Sequence, residues 1–341
     1  MSERKHLFTR SNFLLIILLG VLASCSSLSK KDNCLVKRAA FDIGSGSTKM
    51  TLAKVNTCEN KIVEVFFEDQ AAVGYKQALY DNNNTFSQKI LDEGISELKE
   101  LKQTATELGV TEFSALATQA FREATNGQKA LDRISDDVGL KVRVINQELE
   151  AKFGYLGAKV KHPFNDDENI LVWDIGGGSM QMTYVENGEF KYYLGKLASV
   201  SFKQTVLKNL YNGKNVSPNP IGKTKSKKAR ALARFFASAN VSAEVKKYIK
   251  TARIFGIGGV HYYSVRKQTL KKGHIYNQTQ LRVALSKRSK LNDKQIGGKF
   301  AATDVTNIAL VLGFMESLGM RKVETLKVNM SHGLFLDKSS W

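Results

Sequence analysis

Two stretches of this sequence pair an aspartate with a turn rich in glycine and serine. Asp42-Ile43-Gly44-Ser45-Gly46-Ser47-Thr48-Lys49-Met50-Thr51-Leu52 aligns without gaps onto Asp174-Ile175-Gly176-Gly177-Gly178-Ser179-Met180-Gln181-Met182-Thr183-Tyr184. The two copies are identical at seven of eleven positions and lie 132 residues apart. Such a turn offers backbone N–H groups and hydroxyls as a concave nest for a phosphate oxygen, while the aspartate at the strand end can hold a cation. A single glycine turn usually does nothing more than turn the chain. Duplication with Asp and Ser in both copies favours a phosphate clamp instead: Gly44, Ser45, Gly46 and Ser47 on one side, Gly176, Gly177, Gly178 and Ser179 on the other, with Mg²⁺ offsetting the negative charge. Neither copy is a Walker A loop or a dinucleotide fingerprint, because the helix required directly after the glycines is missing.

Each copy follows an apolar run (Ala39-Ala40-Phe41; Ile170-Leu171-Val172-Trp173) and leads into an alternating one, the pattern of a β-hairpin with a tight turn. Between the copies, strands are expected at 62–67, 113–117 and 142–145, and helices at 86–108 and 121–138, with another helix opening near Gln147. Later helices are expected at 197–211, 226–250, 278–288 and 303–318, and a strand followed by a glycine turn at 253–259. Residues 82–84 and 212–224 read as surface loops. The alternation is that of an α/β protein, and the repeat suggests two similarly built domains facing each other.

The chain has 341 residues, 24% of them charged and 43% apolar, with three prolines, which excludes disordered, collagen-like and Pro-rich classes. Its formal charge of +19 is uneven. Residues 1–148 carry 19 basic and 19 acidic side chains and residues 149–341 carry 32 and 13, so the whole excess lies in the second part. Such a polycation is either a lysine-rich solvated surface or one that meets polyanions. Lys223, Lys225, Lys227, Lys228, Arg230 and Arg234, read as a loop and the start of a helix, are the densest run. They stand open as a guide for phosphate chains, a contact for anionic lipid, or a solvated face.

At the N-terminus, Arg4, Lys5 and Arg10 precede an apolar run of eleven residues, 13–23, which ends in Leu22-Ala23-Ser24-Cys25 before a polar stretch. As a helix the run would rise only about 16 Å, too short for a ~30 Å hydrocarbon core, so residues 1–24 read as a secretory signal. The ending resembles the bacterial lipobox, which implies cleavage before Cys25, acylation of that cysteine, and an exported, membrane-anchored lipoprotein. Ser26 fits the periplasmic side of the outer membrane in a diderm host. Cys34 and Cys58 remain, an even pair suited to a disulfide. A two-residue turn at 45–46 pairs positions whose numbers sum to 91, which sets these cysteines, whose numbers sum to 92, at bridging distance in the first hairpin.

Taken together, the motifs resemble the exopolyphosphatase/guanosine pentaphosphate phosphatase (Ppx/GppA) family of the actin-like ATPase superfamily. Besides the two loops, the resemblance rests on the box Ala117-Thr118-Gln119-Ala120-Phe121-Arg122-Glu123-Ala124-Thr125-Asn126-Gly127, on Asn146-Gln147-Glu148-Leu149-Glu150-Ala151, on Gly256-Ile257-Gly258-Gly259, and on Ser331-His332-Gly333-Leu334. It implies two facing actin-like (ribonuclease H-like) domains, residues 36–148 and 149–327, with 328–341 returning to the first and the active site in the cleft between them. It also implies in-line attack of water on a terminal phosphoryl group. Glu150 would be the base, Asp174 and Arg122 catalytic partners, Gly258 and Gly259 further phosphate contacts, and Mg²⁺ (or Mn²⁺) the cofactor, held by Asp42, Asp174 and, weakly, Gln181. The implied substrate is inorganic polyphosphate or another polyanionic phosphate; guanosine pentaphosphate is cytoplasmic and does not suit an export signal. A homodimer is open on this reading, and nucleic acid is not an expected partner. The sequence departs from the family pattern at Gly46, at Lys49 in place of arginine, at Lys152, and at Met180-Gln181 in place of Thr-Glu. Gln181 thereby lacks a negative charge at what the family uses as a metal or water site. Two readings follow: a membrane-anchored exopolyphosphatase, or a catalytically weakened polyphosphate- or nucleotide-binding lipoprotein of the same fold.

Overall fold

The computed structural model describes residues 34–341 apart from 166, 214–215 and 271; the expected signal segment and Cys25 lie outside the described residues. Two sheets organise the chain. The first comprises β1 (Leu35–Ile43), β2 (Thr48–Asn56), β3 (Lys61–Ala71), β4 (Glu112–Ala117) and β5 (Val142–Val144), in the order β3-β2-β1-β4-β5. The second comprises β6 (Ile170–Ile175), β7 (Met180–Glu186), β8 (Glu189–Gly195), β9 (Arg253–Ile257), β10 (Ile275–Asn277) and β11 (Lys322–Thr325), in the order β8-β7-β6-β9-β11-β10. Each opens with an antiparallel meander and continues from its first strand through two parallel strands. The repeat seen in the sequence is therefore a repeat of topology, with β10 added at one edge.

The central strand of each sheet is covered on both faces, which is why it reads as a continuous apolar run. Successive residues of a strand point to opposite faces. Ala39, Phe41 and Ile43 of β1 thus enter one core, with Leu98 and Leu101 of the helix Gln88–Glu107, while Ala40 enters another, with Phe153, Met330 and Leu334. In β6, Leu171, Trp173 and Ile175 pack under the helix Ala301–Leu318, and Ile170 and Val172 meet Tyr155 and Ala158. The helix Gln147–Lys161 thus gives Phe153 to the first sheet's core and Tyr155 and Ala158 to the second's. The helix Met330–Leu334 lies against it: a Cβ on Gly333 would meet the Phe153 carbonyl oxygen at 2.1 Å, and one on Gly157 the Asn329 carbonyl oxygen at 3.0 Å. Through these contacts the C-terminal segment shares a core with Ala40, Ala53 and Leu116 of the first sheet.

The expected helix over 121–138 is two helices, Gln119–Glu123 and Gly127–Val138. Asn126 turns its side chain to the backbone of Phe86, accepting from the amide at 2.9 Å and donating to the carbonyl at 3.0 Å, and Gly127 packs where a Cβ would meet the Phe121 carbonyl oxygen. The expected helix over 226–250 divides into Gly222–Asn240 and Ala243–Ile249, because Ser242 caps the second by accepting from the Val245 amide. The basic run lies wholly within the helix Gly222–Asn240, and the loop before it ends at Ile221.

The first hairpin has the expected register, Ile43 opposite Thr48 through Leu35 opposite Asn56, and a Cys34–Cys58 disulfide closes its open end, with Cα atoms 5.6 Å apart. Reducing it, or replacing both cysteines by serine, should lower unfolding free energy by about 3–4 kcal/mol for a loop of this length. Denaturant titration with and without reductant measures the difference; equal midpoints would mean that the hairpin ladder alone suffices.

Candidate active site

The two glycine/serine loops leave the ends of β1 and β6 and meet across a cleft of about 430 Å³. Each closes in the same way: the Gly44 amide donates to the Ser47 carbonyl, and the Gly176 amide to the Ser179 carbonyl, both at 3.0 Å. The glycines here have φ outside the left-handed region, so a tight turn does not by itself require them. Proximity does. A Cβ on Gly178 would meet Ser45 Oγ at 2.6 Å and Gln119 Cγ at 2.9 Å, and one on Gly177 would meet the Gly46 nitrogen at 3.1 Å. The loops touch each other, and side chains there would push the two halves apart. Ion and polar pairs join the halves on either side, Lys327 to Glu68 at 2.5 Å and Lys203 to Gln77 at 2.7 Å.

All ten expected phosphate contacts line this cleft: Gly44, Ser45, Gly46, Ser47, Gly176, Gly177, Gly178, Ser179, Gly258 and Gly259, together with Asp42, Glu150 and Asp174. Ser45 is 5% exposed, and its hydroxyl has no hydrogen-bond partner among the described residues. A buried hydroxyl of this kind suits an oxygen-rich ligand. Gly258 takes φ +80°, and its missing Cβ leaves room for Asp174 Oδ1, which would otherwise lie 2.3 Å away.

Glu150 sits in the first turn of the helix Gln147–Lys161, whose start is fixed by Asn146 accepting from the Leu149 amide. Its Oε1 accepts from Ser179 Oγ at 3.2 Å, and its Oε2 from Arg122 Nη2 at 2.9 Å. Burial pushes its carboxyl above the ordinary range, partly countered by Arg122. Burial and the neighbouring Glu150 push Asp174 up to about 7, against the pull of Lys49.

Arg122, expected as a catalytic partner, lies outside the cleft lining: Nη1 donates to the Ile145 carbonyl at 2.6 Å and Nη2 to Glu150 at 2.9 Å, so its guanidinium holds Glu150. The reason is reach: the short helix Gln119–Glu123 aims Arg122 at the end of β5 and the start of the helix after it. Gln181, too, lies off the cleft. It stands opposite Asp174 in β7, 1% exposed, with no hydrogen-bond partner for its amide nitrogen among the described residues. None of the six residues of the basic run lines the cleft, and Arg230 and Arg234 approach Glu316 at 3.5 and 3.9 Å. The lysines that do line it are Lys49, Lys267 and Lys299. Lys267 and Lys299, with Thr118, Tyr263 and Asn307, escaped the sequence reading. Thr118 was already in the Ala-Thr box, whereas nothing in the local sequence singles out Tyr263 or Lys267.

The profile of the Ppx/GppA phosphatase family matches residues 54–338. The chain belongs to that family. Among solved structures it resembles a Ppx/GppA family member from Aquifex aeolicus (19% identity, 89% of this chain and 97% of that one, TM-score 0.68) and an exopolyphosphatase from Cytophaga hutchinsonii (16% identity, 87% and 96%, TM-score 0.69). At these identities the likeness speaks for the two-domain Ppx/GppA fold. A bifunctional 3-dehydroquinate synthase/phosphatase of Fusobacterium nucleatum is 25% identical over 196 residues, 53% of this chain. The aligned parts span only 26% and 29% of the curated relatives the chain matches.

The Mg²⁺ or Mn²⁺ implied by the resemblance does not suit the side chains present. Asp42 Oδ2 is bonded to Lys49 Nζ at 2.6 Å, Gln181 is uncharged and off the cleft, and the described residues contain no group of three or more His, Cys, Asp or Glu side chains that could hold a metal ion. Beside the facing loops, Asp174 is the carboxylate with no cationic bonding partner among the described residues, while Asp304 elsewhere in the lining accepts from Ser264 Oγ; one carboxylate at the loops is a thin donor set for a protein-held divalent ion.

Proposed function

We propose that this Ppx/GppA chain is an exopolyphosphatase-type phosphoanhydride hydrolase that releases the terminal phosphate of inorganic polyphosphate, exported and held at a membrane through an acylated Cys25. The observation that carries the reading is Glu150, anchored by Arg122 and Ser179 beside two facing phosphate loops. Water at that carboxylate gives a proton to Glu150 as its oxygen bonds to the terminal phosphorus. The bridging P–O bond breaks, and its electron pair leaves with the shortened chain. The raised affinity of Glu150 for a proton suits a base, and the Arg122 pair keeps it aimed. Ser45 Oγ, the loop amides and Lys49 meet the charge on the transferring oxygens, the positioning on which phosphoryl transfer mostly depends. The anchor is supported by the lipobox-like segment 22–25 and the basic residues before it.

Gln181 favours a second reading, a polyphosphate- or nucleotide-binding lipoprotein with weakened catalysis. Purified protein incubated with long-chain polyphosphate separates the two. The hydrolase releases orthophosphate while the remaining chains shorten gradually; the binding protein retains the polymer without release. Neither release nor retention would remove both.

A further inference from the structure

We propose that Lys49 is the built-in cation of the cleft, and that phosphoanhydride hydrolysis by this chain proceeds without a protein-held divalent metal. The proposal rests on the hydrolase reading above and adds what balances the charge.

Lys49 is placed by the hairpin. With a two-residue turn at 45–46, β2 sets Lys49 directly opposite Asp42, and its Nζ closes on Asp42 Oδ2 at 2.6 Å. The same ammonium lies 3.8 Å from where a Cβ on Gly44 would sit, at the lip of the first phosphate loop, and lines both the main cleft and a second cavity of about 230 Å³ that adjoins it. Its side chain is 21% exposed, open enough to meet a ligand and enclosed enough to interact strongly. A lysine is a compact point charge, unlike the spread fork of arginine, and can neutralise phosphate from a single position.

The second hairpin repeats the geometry with a different residue. Gln181 stands opposite Asp174 as Lys49 stands opposite Asp42. One hairpin supplies a cation beside its aspartate and the other supplies no extra carboxylate. Of the four carboxylates lining the cleft, Asp42 is matched by Lys49 and Glu150 by Arg122, and Asp304 accepts from Ser264 Oγ at 2.6 Å, so beside the two facing loops the negative surplus that would draw in a divalent ion is reduced to Asp174.

Two measurements test this. In the first, manganese electron paramagnetic resonance on the protein without substrate should find no bound Mn²⁺ in the wild type, whereas Lys49→Met, which frees Asp42, should bind it. One tightly bound Mn²⁺ per wild-type chain would overturn the proposal, whatever the variant does. In the second, phosphate release from sodium polyphosphate should be alike in excess EDTA and in Mg²⁺ for the wild type and for Lys49→Arg. Lys49→Met should lose about 100-fold in EDTA, and Mg²⁺ should restore part of the loss. Wild-type release in Mg²⁺ that vanishes in EDTA would overturn the proposal while leaving the hydrolase reading intact. Absence of release under both conditions would remove the hydrolase reading, and Mn²⁺ binding would then decide the place of Lys49 by itself.

Discussion

Glu150→Gln should lower phosphate release by about 10²–10⁴-fold while polyphosphate affinity stays nearly unchanged. The amide keeps the size of the carboxylate and can still meet Ser179, but it cannot take a proton from water. On the proposed mechanism binding survives, because the ground-state substrate would rest on the loops, Ser45 and Lys49, while Glu150 would act on the attacking water. Arg122 loses its charge partner but remains tied to the Ile145 carbonyl, so the helix start is still held. A loss of kcat with an unchanged binding isotherm is the expected pair of results; full turnover by the variant would remove Glu150 from the mechanism.

Asp174→Asn should make the protein more stable near pH 8 and leave it unchanged near pH 4. The Asp174 carboxyl is pushed up to about 7 by burial and by Glu150, from an ordinary value of 3.8. A group whose value is raised by folding contributes stability that is complete below its unfolded value and is lost as pH rises through its folded value. The native protein therefore loses up to about 4 kcal/mol between pH 4 and pH 8 through this one side chain. Asparagine has the shape of the protonated acid and no proton to lose, so the difference in melting temperature should open as pH rises. A variant that is less stable than wild type at pH 8 would mean that Asp174 is ionised there and held so by its neighbours, Lys49 first.

Residue types and spacing carried much of this protein. The apolar runs before Asp42 and Asp174 marked hairpin strands, and only the sheets show that both are central strands covered on both faces. The eleven-residue repeat marked two equivalent hairpins because a two-residue turn leaves a single register, and that register alone put Cys34 near Cys58 and Lys49 opposite Asp42. The ten residues expected to contact phosphate could be placed at the cleft because each lies within a few residues of its motif. Where the sequence misled, the deciding interaction was distant in the chain. The helix over 121–138 breaks because Asn126 reaches Phe86. The hold of Arg122 on Glu150, 28 positions away, is likewise set outside its own box. The basic run, whose role the sequence left open, lies outside the cleft lining on a helix that gives Ala229 and Ala233 to the core beside the helix Ala301–Leu318, where Gly313 lets the two backbones approach. Tyr263, Lys267 and Lys299 reach the cleft from segments with no local signal. Local spacing fixes what a turn, strand or hairpin can do, since those contacts span only a few residues. Which side chains share the cleft depends on how two sheets pack against one helix, and that is a property of the whole core.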